Sequence, residues 1–160
     1  MSDASVAPQL TTESFEEFLE SATPGLCRAF VARYGTELGN EASSDAIAWA
    51  WEHRQELQSK GNPIGYLFRV GQTSVRAQTR RRRRFALPVE DRSDAAPSDA
   101  GPELHTALER LSGDQRVAVL MVHAHGYSYA ETAATLDISV AAVRNHVHRG
   151  MQRLRRHMED

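Results

Sequence analysis

Apolar residues recur at spacings of three and four along most of the chain, and no stretch alternates strictly for long enough to form a strand, so the pattern predicts an all-α fold. It is clearest near the C-terminal end. Val140, Val143, Val147, Met151 and Leu154 fall on one narrow stripe at about 100° per residue. That stripe is expected to be buried. Ala141, Ala142, Asn145, Arg149, Gln152 and Arg156 lie opposite, flanked by Arg144 and His148. A second, small-residue stripe of Ala130, Ala133, Ala134 and Leu136 precedes it, separated only by the short stretch "LDIS". Two helices joined so tightly must turn a sharp corner, which is helix-turn-helix geometry, with a polar, cationic face suited to a major groove. Upstream, Val117, Leu120 and Met121 predict a helix with a one-sided core face.

Start signals divide the rest. Ser14 with Glu17, Ser112 with Gln115, and Ser128 with Glu131 have capping-box spacing, and Ser139 is placed to cap the last helix. Thr23-Pro24 and Asn62-Pro63 each offer a capping side chain before a proline at the first helical position. These predict helices over about 14–22, 24–38, 41–59 and 63–84, then about 103–111, 113–125, 128–136 and 139–158. Between the sets lies "LPVEDRSDAAPSDAGPE", Leu87 to Glu103, whose Pro, Asp, Ser and Gly leave little to bury. The expected organisation is an N-terminal helical domain over 1–86, a flexible linker over 87–102 and a C-terminal helix-turn-helix domain over 103–160. The acidic linker is placed to fold back over the arginines that precede it.

The formal charge of -2 conceals an uneven distribution. Arg80 to Arg84 are consecutive, and Arg144, Arg149, Arg153, Arg155 and Arg156 lie in a C-terminal stretch free of acids. Lys60 is the only lysine, a bias that suits phosphate and guanine recognition but equally reflects a GC-rich genome. Asn145 matches the adenine edge and Arg144 or Arg149 the guanine edge, although each is also able to grip phosphate. A solvated basic helix is the plain alternative.

Other chemistry is thin. Cys27 alone permits no intramolecular disulfide and reads as a small buried hydrophobe, and with no apolar span or secretion signal the chain is expected in the cytoplasm. His123 with His125, and His146 with His148, are two apart on helices and project about 200° away from each other, so neither pair converges on a metal. No nucleophile elbow or phosphate-cradling glycine loop is present. The expectation is a protein with no catalysis, metal or cofactor.

The segment "LERLSGDQRVAVLMVHAHGYSYAETAATLDISVAAVRNHVHRGMQRLR", Leu108 to Arg155, resembles the promoter-binding C-terminal region of bacterial sigma factors of the extracytoplasmic-function (ECF) group. "NPIGYLFRVGQTSVRAQTRRRRR", Asn62 to Arg84, is similar to that family's helix over the minus-ten element, with Tyr66, Leu67, Phe68 and Arg69 in matching places. The resemblance implies promoter DNA and RNA polymerase core as partners, with an anti-sigma protein as a further candidate. Ala142, Arg144, Asn145, His146, His148, Arg149 and Arg153 would then meet the minus-thirty-five duplex. Arg76 and Arg80, Arg81, Arg82, Arg83 and Arg84 would meet the opened strand, and the loop from Gln58 to Pro63 would capture an unpaired base. Ser44, Asp45, Trp51 and Arg54 form the candidate polymerase surface, and the chain has Ser44, Asp45 and Ile47 where the family usually shows a Gln-acid pair followed by Phe. Trp49 and Trp51 point to different sides of one helix, so one is expected in the core and the other at the surface. The alternative is a stand-alone helix-turn-helix regulator that does not engage polymerase.

Overall fold

A computed structural model describes residues 12–85 and 99–159. Among them the regular structure is helical throughout: α1 Thr12–Tyr34, α2 Thr36–Glu52, α3 Arg54–Gln58, α4 Pro63–Arg84, α5 Pro102–Glu109, α6 Gly113–Val119, α7 Tyr129–Leu136 and α8 Val140–Glu159. A π turn, Leu120–Ala124, extends α6. The expected linker falls mostly on residues 86–98, and it and its fold-back lie outside the described residues.

The boundaries differ where tertiary packing overrides local signals. One helix, α1, replaces the two expected over 14–38, so Ser14 lies inside it and Pro24 interrupts its amide ladder without ending it. The reason is a continuous buried stripe, Phe15, Leu19, Ala22, Leu26, Ala29 and Phe30, crossing the proline. Such burial offsets the roughly 3 kcal/mol an interior proline costs. Thr23 donates its hydroxyl to Leu19 O at 2.5 Å instead of capping. The helix ends early because Gly35 adopts φ 85, a turn open to glycine. The helix expected over 41–59 is broken at His53 into α2 and α3.

Four caps form as their sequences predict. Asn62 accepts from Gly65 N at 3.3 Å. Ser112 with Gln115 and Ser128 with Glu131 make complete capping boxes, and Ser139 accepts from Ala142 N at 3.1 Å. The one-sided face expected of α6 is instead buried from Val117 through Met121, because α6 packs between α1 and α8.

The core follows from that placement. One apolar cluster includes Phe30, Leu67 and Phe68 from the first half of the chain and Leu108, Met121, Leu136 and Leu154 from the second. A smaller cluster of Ala118, Ala133, Val143 and Val147 ties α8 to α6 and α7. The stripe on α8 is buried at Val143, Val147 and Leu154 and half-buried at Met151, while Val140 in its first turn is 39 % exposed, contrary to expectation.

Candidate nucleic-acid interface

Helices α7 and α8 are joined by Asp137, Ile138 and Ser139 alone. Asp137 makes the corner in the left-handed region, φ 55 and ψ 47, where it closes α7 through its amide. With Val143 and Val147 held beneath, α8 turns Arg144, Asn145, His148 and Arg149 outward, and all four are exposed. Ala142 is half-buried on the same face. The Arg144 guanidinium lies 6.0 Å from the centre of the Tyr129 ring, which limits its sweep. Arg153 is exposed but donates to Gln115 Oε1 at 3.3 Å. His146 turns the other way, half-buried against a cavity of about 210 Å3 that also touches Phe68 and Arg69 of α4.

The second basic group ends α4, where helix carbonyls favour cations. Arg76, Arg80, Arg81, Arg83 and Arg84 are exposed. Arg82 is half-buried and pairs with Glu37 of α2 at 3.5 Å. The quintet is therefore not uniform: Arg82 braces α4 on α2, while the other four extend along the exposed end of the helix.

On α2 and α3, Ser44, Asp45, Trp51 and Arg54 are all exposed, but they do not form one patch. Ser44 and Trp51 line a shallow depression of about 410 Å3 beside Ile47 and Ala48. The Trp51 ring stands edge-on to Phe15 at 5.2 Å. Asp45 points toward α4, where it accepts from the Ser74 hydroxyl. Trp49 is half-buried, stacked on His53 at 4.5 Å and against Tyr66 at 5.3 Å. The two indoles thus divide between packing and surface, as helical spacing requires.

Cys27 is half-buried near Asn40, with Sγ 3.5 Å from Oδ1, and so lies outside the apolar core. Among the described residues no three His, Cys, Asp or Glu side chains converge as metal ligands, and no helix is long and apolar enough to cross a membrane. His125 is held below the ordinary imidazole value by burial and by the Arg28 charge.

Sequence reasoning did not foresee the contacts that join the two halves. Arg116 of α6 donates to Ala32 O at 2.9 Å and to Arg33 O at 2.6 Å, covering the end of α1. Arg33 pairs with Asp114; burial opposes its charge, but Tyr34 and Asp114 more than offset that and raise its pKa. Arg28 donates to the Tyr127 hydroxyl at 3.0 Å. Arg69 of α4 pairs with Asp137, and Asn62 donates to Ala134 O at 2.8 Å. The one available signal was Asp137 in the short "LDIS" corner, since aspartate, like glycine and asparagine, enters the left-handed region.

Residues 102–154 match the family model described as sigma-70, region 4. The chain is 25 % identical over 153 residues to the ECF RNA polymerase sigma factor EcfG of Rhodopseudomonas palustris, covering 89 % of this chain and 84 % of that protein. It is 35 % identical over 105 residues to SigE of Mycolicibacterium smegmatis, spanning 57 % of this chain and 40 % of that one. The fold is similar to the sigma factor RpoE of Bartonella quintana, solved with the anti-sigma factor NepR, at a TM-score of 0.65 and 23 % identity over 92 % of this chain and 98 % of that one. The chain thus carries a C-terminal segment that matches sigma-70 region 4 and is similar over most of its length to ECF RNA polymerase sigma factors.

Proposed function

We propose that the chain carries RNA polymerase core to a promoter in two modules, one reading the upstream duplex through α8 and the other engaging the opened strand through α4. The observation that carries this reading is the exposed face of Arg144, Asn145, His148 and Arg149 on a helix whose opposite side is fixed by Val143 and Val147, within the segment matching sigma-70 region 4. Arg144 and Asn145 near the start of α8 are the residues to meet base edges, and Arg149 the one to meet phosphate. Arg76, Arg80, Arg81, Arg83 and Arg84 supply cations for the separated strand, whose unstacking costs a few kcal/mol per base. The depression at Ser44 and Trp51 is the proposed polymerase contact, since a partly exposed tryptophan beside a cavity is a common anchor. A protein that works with polymerase acts in the cytoplasm, and an anti-sigma partner is proposed by likeness to the RpoE relative.

Two measurements test this. Size exclusion of the chain mixed with core polymerase is expected to show co-elution; separate elution would favour the stand-alone regulator. Arg149→Ala is expected to weaken duplex binding and to lower the dependence of log K on log salt by about 0.9, the value for one phosphate left without its cation. Unchanged affinity at low and high salt would remove Arg149 from the interface.

A further inference from the structure

Two large apolar side chains are exposed at the helix-turn-helix, Tyr129 at 37 % and Val140 at 39 %. Neither belongs to an apolar cluster of the core. Both flank one cation. Val140 lies one turn before Arg144 on the same face of α8, and the Tyr129 ring has its centre 6.0 Å from the Arg144 guanidinium carbon. Carboxylates are engaged elsewhere. Glu131 accepts from Ser128 N in the capping box, Asp137 is paired with Arg69, and the first acid along α8 is Glu159, near its far end. Among the described residues, Arg144 is the one cation of the exposed α8 face that lies over a ring.

How an arginine is held decides what it can read. A carboxylate would hold Arg144 through the paired N–H groups that a guanine edge takes at O6 and N7, and would bring a negative charge to a face that must meet phosphate. An aromatic face holds a guanidinium without using its N–H donors and adds no charge. It also narrows the swing of a long side chain, whose immobilisation on binding is otherwise a cost. Both ends of this contact are firmly placed. Tyr129 is the first residue of α7, set by the capping box of Ser128 and Glu131, and Val143 and Val147 fix the rotation of α8.

We infer that Tyr129 is a positioning residue for base reading: its ring is a shelf that presents the Arg144 guanidinium, donors free, to a guanine in the major groove. One base pair of the upstream duplex then owes its selectivity to a residue of α7 that touches no base. This rests on α8 being the helix that meets the duplex. The face divides accordingly. Arg144 is held and reads, whereas Arg149, exposed and over no ring, follows phosphate, which asks for charge more than for orientation. Removing the ring therefore costs selectivity at one base pair while general attraction for the duplex remains.

The test uses the full chain without polymerase, since the α8 face is exposed. Duplexes with a randomised stretch are bound, recovered and sequenced for the unaltered chain, Tyr129→Phe, Tyr129→Leu and Arg144→Ala. Tyr129→Phe keeps the ring and loses the hydroxyl, whereas Tyr129→Leu keeps apolar bulk and loses the π face. The guanine preference that Arg144→Ala erases is expected to fade in Tyr129→Leu and to persist in Tyr129→Phe. On the selected duplex, fluorescence anisotropy is expected to show Tyr129→Leu weakened about three- to tenfold and Tyr129→Phe less than about twofold, with no further loss when Tyr129→Leu is added to Arg144→Ala. That last comparison separates positioning from damage to the fold, because a damaged fold weakens binding in either background. Equal losses in the two backgrounds would overturn the inference. So would a guanine preference unchanged in Tyr129→Leu or in Arg144→Ala, or a Tyr129→Phe as weak as Tyr129→Leu. Failure of the wider reading looks different: an unaltered chain that enriches no base pair shows that α8 does not read duplex, and the shelf falls with it. Enrichment that survives the loss of the ring defeats the shelf alone.

Discussion

Phe30→Ala is expected to lower the stability of the chain by about 3–5 kcal/mol, the cost of emptying a fully buried aromatic site whose surroundings relax only in part. Phe30 is 0 % exposed, and its ring stacks on Phe68 of α4 at 4.8 Å and on Tyr34 at 6.5 Å. It also belongs to the cluster that includes Met121 and Leu136 of the second half, so the loss reaches past α1. A domain of this size has about 5–15 kcal/mol in all, so the variant approaches the edge of folding. Urea unfolding checks it, with a lower midpoint at constant slope. Trp49 and Trp51 both report from α2, whereas far-UV circular dichroism reports from every helix. Coincident shifts of the two signals are expected if the halves unfold together. A change under about 1 kcal/mol would show that the Phe30 site refills easily.

Caps and corners were legible in the sequence because they depend on a few neighbouring atoms. Ser112 with Gln115, Ser128 with Glu131, and Asn62 before Pro63 close the helices they mark. The same signals failed at Ser14 and at Thr23-Pro24, where a long apolar stripe shared with α2 and α4 outweighs one missing amide bond. The exposed face of α8 was legible too, because the valines at 143 and 147 fix the rotation of the helix, and exposure of Arg144, Asn145, His148 and Arg149 follows. His146 was not, since its side of α8 depends on how α4 packs against the second half. That packing joins residues 72 and 75 positions apart, such as Asn62 with Ala134 and Asp137, and no local spacing encodes it. Asp45 follows the same rule: exposed by periodicity, it is turned toward Ser74 by a helix distant in sequence.

Replacing Arg80, Arg81, Arg83 and Arg84 together by glutamine is expected to reduce single-strand binding by the polymerase-bound protein by one to two orders of magnitude, or about 1.4–2.8 kcal/mol. Arg82 is left in place because its pairing with Glu37 braces α4, and its removal would confuse folding with binding. For every phosphate that no longer meets a cation, the slope of log K against log salt should fall by about 0.7, so the four together bound the change at about 2.8. The slope decides between the two roles these arginines can have. Cations that only solvate the end of α4 contribute a few tenths of a kcal/mol of helix stability through the dipole, so their removal shifts the melting curve slightly and leaves the salt slope unchanged. Cations that neutralise a strand change the slope and barely move the melting curve. Duplex binding through α8 offers an internal comparison, because Arg144 and Arg149 are on another element and untouched. A loss of equal size on single strand and upstream duplex would therefore count against a strand-specific role for the end of α4 and assign the quintet to general attraction for nucleic acid.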